Sequence, residues 1–180
     1  MEQKKPPVWL TGFRDGQAVL SDSTTVAIPH LGDTAWTVFL CVRHAEKVKN
    51  AGDNPPLLPE GEARAERLGN LLKGIGIDRV STTNYKRTIQ TGEIVRRVAG
   101  SMPAETYPPA NQDMWLEQTL AGSAGQHILV VGHQNTIPRL LNRLKGDSLY
   151  ANIPDDDHGR LYIAVTRGIG QTEVVELHYE

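Results

Sequence analysis

The sequence predicts an α/β fold with a mostly parallel central sheet, and three observations support this prediction. The chain has 180 residues, about 1.2 times the roughly 150 residues of an average domain, so one domain with an appendage is expected. From Trp36 onward, short apolar runs alternate with amphipathic stretches of helical length, as in βαβ units. The run that ends at Val131 is apolar at successive positions, which is typical of a central parallel strand.

Residues 1–35 have a different pattern, which predicts a short β-hairpin appendage. The dipeptide Asp15-Gly16 lies between the runs Val8–Phe13 and Gln17–Leu20, and Asp-Gly is a favoured two-residue hairpin turn. No linker-like stretch divides the remaining sequence. We therefore expect an N-terminal β appendage at residues 1–35 and one main domain at residues 36–180.

Strands and helices are expected to alternate along the main domain. Pro59 and Glu60 suit the start of the first helix, where the helix dipole favours negative charge, and Gly74 suits its end. The predicted elements are strand Thr37–Val42, helix Glu60–Lys73, strand Arg79–Ser81, helix Tyr85–Ala99, strand Ala104–Tyr107, helix Gln112–Ala121, strand His127–Val131, a helix from Thr136 through Leu144, and a closing hairpin of Arg160–Thr166 and Thr172–His178.

Composition and charge exclude several classes of protein. With 19 basic and 21 acidic residues the net charge is −2, so nucleic acid and anionic membranes are not expected partners. The apolar stretch Val38–Val42 is too short to span a bilayer, which takes about 20 residues. Lys4 and Lys5 are followed by Pro6 and Pro7 rather than by an apolar signal sequence. We expect a cytoplasmic protein, with an exported form already trimmed of its signal peptide as the alternative.

Cationic and titratable side chains follow three of the predicted strands where each strand ends. They are Arg43 and His44 after the first strand, Arg87 after the second and His133 after the fourth. Ligands of open α/β sheets bind outside the carboxyl ends of the strands, so these residues are expected to meet although 43 and 46 positions separate His44, Arg87 and His133. Each signal is weak alone, but together they predict a pocket for an anion the size of phosphate.

These residue types suit the transfer of a phosphoryl group. A neutral imidazole is a nucleophile near pH 7 when an acceptor holds its other nitrogen, and His44 is the candidate. Phosphoryl transfer spreads negative charge over three oxygens, which bidentate Arg43 and Arg87 and a protonated His133 would stabilise. The main-chain N–H of Gln134, where the next helix begins, is a further phosphate-binding candidate. Such a site needs no metal ion and no other cofactor.

The motif Arg43-His44-Ala45-Glu46-Lys47, together with the Arg87 segment and Gly132-His133, resembles the histidine phosphatase superfamily, also called the phosphoglycerate mutase-like fold. The resemblance covers roughly residues 36–180 and implies that they form a catalytic domain. It implies a three-layer α/β/α sandwich in which His44 becomes phosphorylated while Arg43, Arg87 and His133 hold the phosphoryl group. The segment Pro55-Pro56-Leu57 is similar to that of small phosphatases within the superfamily.

Two features differ from the usual pattern of this superfamily. Its members place a Glu or Asp proton donor shortly after the third strand, where this chain has Tyr107-Pro108-Pro109-Ala110-Asn111-Gln112-Asp113. Asp113, Glu105 and Glu46 are the candidate donors, since a general acid must reach the leaving oxygen. The chain also lacks the long insertions that cover the substrate in mutases. An open pocket and hydrolysis are therefore expected rather than mutase activity.

The leading hypothesis is a metal-independent phosphatase that hydrolyses a phosphomonoester, either a small molecule or a phosphorylated protein side chain, through phosphorylated His44. The first alternative is a non-catalytic phosphate- or phosphopeptide-binding module of the same fold, because the proton donor is not assigned. The second is a metallohydrolase that uses His44, His133 and the run Asp155–His158. We interpret that acidic run as a solvated turn, which is the common role of such runs.

Overall fold

The structure is a computed structural model that describes residues 7–180, and its centre is a six-stranded sheet. The strands are β1 Leu10–Arg14, β2 Gln17–Leu20, β3 Thr25–Ala27, β4 Thr37–Arg43, β5 Arg79–Thr83, β6 Ala104–Tyr107, β7 His127–Gly132, β8 Arg160–Gly168 and β9 Gln171–His178. The central sheet has the order β6-β5-β7-β4-β8-β9. Strands β6, β5, β7 and β4 are parallel, whereas β8 and β9 pair antiparallel.

Helices cover both faces of this sheet. They are α1 Pro59–Leu72, α2 Lys86–Ala99, α3 Gln112–Leu120 and α4 Thr136–Lys145, with a 3₁₀ turn at Pro109–Asn111. Leu40 of β4 shares a buried cluster with Leu68 of α1, whereas the neighbouring Phe39 shares one with Leu141 of α4. Successive residues of a strand point to opposite faces, so the predicted three-layer sandwich is confirmed. Within residues 7–180, none of the helices combines the length and hydrophobicity needed to cross a membrane.

The boundaries of the predicted elements lie within two residues of those observed. The largest differences, two residues each, are in β1, which begins at Leu10, in β5, which continues to Thr83, and in β8, which continues to Gly168. Strand β5 is longer because its ladder with β6 extends to the pair Thr83 and Tyr107. This extension brings the side chain of Thr83 to the edge of the sheet where β4 and β7 also end.

The N-terminal appendage has three strands rather than the predicted two. Its first turn has positive φ at Asp15 (51°) and Gly16 (75°), as a type I′ hairpin turn requires. The sequence does not predict β3, because a segment of three residues is too short to show an alternating pattern. Leu10 and Ile28 are buried in one cluster with Leu68, so the appendage packs against α1. Residues 1–6 of the predicted appendage lie outside the described part of the chain.

Candidate active site

The carboxyl ends of β4, β5 and β7 meet at a cleft of about 1010 Å³. Arg43 pairs in register with Gly132, so His44 and His133, one residue further on, come side by side with ring centroids 5.5 Å apart. Arg87, in the first turn of α2, lines the same cleft. The structure thus brings together all the residues that the strand ends predicted to meet.

Main-chain contacts hold His44 in one orientation. Its Nδ1 lies 2.7 Å from the carbonyl oxygen of Ala45, so Nδ1–H donates to that oxygen and Nε2 keeps a free electron pair. The main-chain N–H of Ala45 donates to Thr91 Oγ1 of α2 at 3.1 Å. Burial lowers the pKa of His44 to about 2, and the positive charge of Arg43 also lowers it. The imidazole is therefore neutral at pH 7, as a nucleophile must be.

Side chains from β5 and α2 hold His133. Arg87 Nη2, which can only donate, lies 3.4 Å from His133 Nδ1. Nε2 is then the protonated nitrogen, and it donates to Thr83 Oγ1 at 2.8 Å. That hydroxyl donates in turn to Thr88 Oγ1 at 2.9 Å. Burial lowers the pKa of His133 to about 4, and the positive charges of Arg87 and Arg43 lower it as well. His133 is therefore neutral at pH 7 in this structure, in contrast to the protonated form expected during phosphoryl transfer, because it is buried and two guanidinium groups lie nearby.

The two guanidinium groups are each fastened at one end. Arg43 Nη1 donates to the carbonyls of residues 154, 155 and 157, at 2.8, 2.9 and 3.2 Å. Arg87 Nη1 lies 3.3 Å from the Asp53 carbonyl oxygen, and its guanidinium stacks over the Tyr85 ring at 4.6 Å. In both arginines Nε is buried and has no hydrogen-bond partner within residues 7–180. A buried N–H without a partner costs about 1–3 kcal/mol, which an anion in the cleft would relieve.

Of the predicted proton donors, Glu46 lines the cleft. Its Oε1 accepts a hydrogen bond from Arg64 Nε at 2.8 Å, while its Oε2 is buried without a partner in the described part of the chain. The main chain of Glu46 lies directly against α1. A Cβ at Gly61 would stand 2.3 Å from the Glu46 carbonyl oxygen, so only glycine permits this close approach.

Glu105 and Asp113 do not line the cleft. Glu105 accepts hydrogen bonds from Ser81 Oγ at 2.7 Å and from Trp115 Nε1 at 3.1 Å. Asp113 is largely exposed and lies 3.9 Å from the Arg139 guanidinium. Glu105 belongs to the edge strand β6, which β5 separates from β7. Glu105 and Asp113, which the sequence suggested as proton donors, therefore lie outside the lining of the cleft that holds His44.

The segment before β8, residues 153–159, contains the predicted solvated turn, in which Asp155 and Asp156 are exposed, and it also forms a wall of the cleft. The N–H of Ile153 donates to the carbonyl of Gln134 at 2.9 Å, and Gln134 itself lines the cleft. Arg43 binds three carbonyls of this segment, as described above. The Asp157 carboxylate accepts a hydrogen bond from Arg160. These contacts fix the segment against the end of β4.

His158 is a third histidine at the site, considered from the sequence only as a metal ligand. It is half-buried and lines the cleft. Its Nδ1 lies 2.9 Å from the His44 carbonyl oxygen, and the two ring centroids are 5.7 Å apart. The sequence signal for this placement is the position of His158 just before β8. Because β8 is antiparallel to β4, its start lies beside the end of β4, where Val42 pairs with Leu161.

Within residues 7–180, no three His, Cys, Asp or Glu side chains come together so that they could hold a metal ion. The Nδ1 atoms of His44 and His158 are both engaged with main-chain carbonyls. The structure therefore offers no ligand set to the metallohydrolase alternative.

Comparison with known proteins finds one matching family model and several similar solved structures. The family model of the histidine phosphatase superfamily (branch 1) matches residues 39–109. No curated protein matches the sequence. Similar solved structures include the protein histidine phosphatase SixA complexed with tungstate, with 20% identity, a TM-score of 0.65 and coverage of 78% of this chain and 96% of that one.

Two further solved structures that resemble this chain carry the names of other enzymes. Phosphoglycerate mutase from Bacillus anthracis is 16% identical, with a TM-score of 0.64 over 79% of this chain and 92% of that one. A mycobacterial glucosyl-3-phosphoglycerate phosphatase is 9% identical, with a TM-score of 0.61 over 80% of this chain and 98% of that one. These likenesses confirm the predicted fold. The family match includes Arg43, His44 and Arg87 but ends before His133.

Proposed function

Because the chain belongs to the histidine phosphatase superfamily, we propose that it is a metal-independent phosphatase that hydrolyses a phosphomonoester through a phosphoryl group carried on His44. One observation carries the proposal: Arg43 Nε and Arg87 Nε are buried without partners within residues 7–180, at a cleft that also holds two neutral imidazoles. A tetrahedral oxyanion satisfies both donors. The SixA structure contains such an anion, tungstate.

In the first half-reaction, the electron pair of His44 Nε2 attacks phosphorus. A P–N bond forms and the bond from phosphorus to the leaving oxygen breaks. His44 Nδ1 keeps its proton and its hydrogen bond to the Ala45 carbonyl oxygen, so the phosphorylated ring is an imidazolium whose positive charge offsets the negative charge of the phosphoryl group. Arg43 Nε and Arg87 Nε donate to the equatorial oxygens, which is the main stabilisation in phosphoryl transfer.

His133 and Gln134 complete the proposed phosphate pocket. The negative charge of a bound phosphoryl group favours the protonated form of a nearby imidazole. His133 Nδ1 then becomes a donor, while Nε2 keeps its bond to Thr83. The main-chain N–H of Gln134 is a further donor at the start of α4.

In the second half-reaction, water attacks the phosphorylated His44. A new P–O bond forms, the P–N bond breaks, and inorganic phosphate leaves together with a neutral imidazole. The cleft is open and is lined by lysines 47 and 49 and by Asp155 and Asp156. We propose that its substrate is a phosphorylated small molecule or a phosphorylated protein side chain. The name of SixA refers to the second class, and that of the glucosyl-3-phosphoglycerate phosphatase to the first.

Replacement of the nucleophile tests this proposal. His44→Ala should lower kcat/KM toward 4-nitrophenyl phosphate by at least about 10³-fold, since removal of a nucleophile abolishes the chemical step. His178→Ala, at an exposed histidine of β9, is the control and should retain activity. Rapid quench with a labelled ester should trap an acid-labile phosphohistidine in wild type only. Full activity of His44→Ala would overturn the proposal.

A non-catalytic phosphate-binding module is the second candidate. It is favoured by the state of the predicted proton donors, since Glu46 is ion-paired with Arg64 and the other two lie elsewhere. Calorimetry with inorganic phosphate, combined with the quench experiment, separates the two. Tight phosphate binding without turnover and without labelled His44 would support the module.

A further inference from the structure

The cleft has two flanks that differ in composition. We call Thr83, Arg87 and His133 the β7 side and residues 153–159 the β8 side, because β7 and β8 are the two neighbours of β4 in the sheet. His133 follows β7 and His158 precedes β8. Their ring centroids lie 5.5 and 5.7 Å from that of His44. His44 therefore stands between two imidazoles.

On the basis of the phosphatase function above, we propose that His158 is a further catalytic residue, whose Nε2 gives a proton to the leaving oxygen and later takes one from the attacking water. The reaction needs such a group, because an alkoxide is a poor leaving group without a proton. Of the three carboxylic acids predicted for this role, two lie outside the cleft and the third is ion-paired with Arg64.

The hydrogen bonds of His158 leave the correct nitrogen available. Nδ1 lies 2.9 Å from the His44 carbonyl oxygen, which can only accept, so Nδ1 carries a proton. Nε2 is then the nitrogen that exchanges its proton. The same bond ties the His158 ring to the main chain of the nucleophile, so the two imidazoles keep a fixed separation.

The charged groups around His158 permit both protonation states. Arg43 on β4 and Arg64 on α1 disfavour the imidazolium, while Glu46 after β4 and the bond to the His44 carbonyl favour it. Burial is the largest effect and lowers the pKa of His158. A bound phosphate ester adds negative charge and so shifts the balance toward the imidazolium.

The proton balance closes over one turnover. In the first half-reaction, the P–N bond to His44 forms, the P–O bond to the leaving group breaks, and the Nε2 proton of His158 moves to the leaving oxygen. In the second, a proton of the attacking water moves to His158 Nε2 while the new P–O bond forms and the P–N bond breaks. His158 ends as it began, and no other reactant is consumed.

Two esters with different leaving groups test this role. Phenol has a pKa of about 10, like the tyrosine side chain, whereas 4-nitrophenol is far more acidic and leaves without a proton. In His158→Asn the side-chain amide replaces Nδ1 and can still donate to the His44 carbonyl, but Nε2 is lost. We expect kcat/KM to fall at least about 10²-fold for phenyl phosphate, the usual contribution of a general acid, and less than roughly 5-fold for 4-nitrophenyl phosphate.

The second half-reaction gives an independent measurement. With 4-nitrophenyl phosphate, His158→Asn should release a full burst of one nitrophenolate per site, followed by slowed turnover. The slow step is the hydrolysis of phosphorylated His44, because no base takes the proton from the attacking water. A purely structural role of His158 would instead reduce both esters and the burst alike.

Equal losses for the two esters, or no loss for either, would overturn the role of His158 while the phosphatase function stands. Absence of wild-type turnover, or full activity of His44→Ala, would remove the function itself. If His158→Asn does not fold, His158→Gln is measured with the same two esters and the same criteria. His158→Phe, which keeps an aromatic ring but neither nitrogen, should lower kcat/KM toward phenyl phosphate as His158→Asn does.

Discussion

The β7 side and the β8 side of the cleft hold their histidines in different ways. On the β7 side, His133 is buried, donates to the hydroxyl pair Thr83 and Thr88, and accepts from Arg87. On the β8 side, His158 is half-buried and donates to a main-chain carbonyl through Nδ1. A site of fixed donors suits the binding of an anion, whereas an imidazole with an available nitrogen suits the exchange of a proton. In the proposed reaction, the β7 side therefore binds the phosphoryl group and the β8 side transfers the protons.

The two arginines give the largest test of this comparison, because each is fastened to a different part of the cleft. Arg43→Lys should lower kcat/KM toward 4-nitrophenyl phosphate about 10³-fold and Arg87→Lys about 10²-fold, since each loses a donor to the transition state. Arg43→Lys also loses the bonds that hold residues 154–157. Kinetics and urea unfolding of both variants measure the two effects.

Stability separates the two arginine variants further. Hydrogen bonds to a charged group contribute about 1.5–3 kcal/mol, so Arg43→Lys should lower the free energy of unfolding by about 2 kcal/mol. Arg87→Lys loses two long bonds, to the Asp53 carbonyl at 3.3 Å and to His133 Nδ1 at 3.4 Å, and should cost less than about 1 kcal/mol. The same stability for both variants would contradict the view that Arg43, in contrast to Arg87, anchors the β8 side.

The pH dependence of stability is the second test. The pKa of His133 is lowered to about 4 in the folded protein, chiefly by burial, against about 6.5 in an unfolded chain. Below pH 6.5 the unfolded chain takes up a proton that the folded chain does not, so the free energy of unfolding falls as the pH falls toward 4. Between pH 7 and pH 5 this amounts to about 2 kcal/mol for His133.

His133→Gln should therefore lose about 2 kcal/mol less than wild type between pH 7 and pH 5, as measured by urea unfolding at both values. His158→Asn should change this loss by a smaller amount, because the pKa of His158 is also lowered by burial but its ring is only half-buried. An equal change in the two variants would show that His133 and His158 are buried to the same extent, which would contradict the difference between the two sides.

The fold could be predicted from the sequence because its strands and helices carry strong periodic patterns. The βα alternation and the unbroken apolar run of β7 are sufficient for the central sheet. The missed strand β3 has three residues, and its pairing with β2 is a contact between segments, which local patterns do not encode. The same holds for the appendage, whose Leu10 joins the cluster of Leu68 although nothing in either segment indicates the other.

Part of the site could also be predicted from the sequence, namely the residues that stand at the ends of parallel strands. Arg43 ends β4, and His44 and His133 directly follow β4 and β7, so their meeting follows from the parallel sheet. His158 precedes an antiparallel strand, and its acidic neighbours resemble a solvated turn. The bond from Arg43 to the Pro154 carbonyl joins residues 111 positions apart. An acceptor on the main chain has no signature in the sequence, so the wall that carries His158 becomes visible only in the structure.

The hydroxyl of Thr83 is the smallest test and concerns the β7 side alone. Thr83→Val keeps the shape of the side chain but leaves His133 Nε2–H without its acceptor, so the ring loses its fixed tautomer and its hold on Arg87. The cost of an unsatisfied buried donor is about 1–3 kcal/mol, and we expect kcat/KM toward 4-nitrophenyl phosphate to fall about 10-fold, near the lower end of that range.

Thr82→Val is the matched control for Thr83→Val. Thr82 is the preceding buried residue of β5, and its hydroxyl donates to the Thr83 carbonyl at 3.0 Å, while its methyl faces α2 where Gly92 lies. This variant should retain activity within roughly 2-fold, because it touches neither histidine nor arginine of the cleft. Since neither threonine belongs to the β8 side, the ratio of rates for phenyl and 4-nitrophenyl phosphate should stay at its wild-type value in both variants. A changed ratio in Thr83→Val would mean that the β7 side also affects proton transfer to the leaving group. It would contradict the assignment of proton transfer to the β8 side alone.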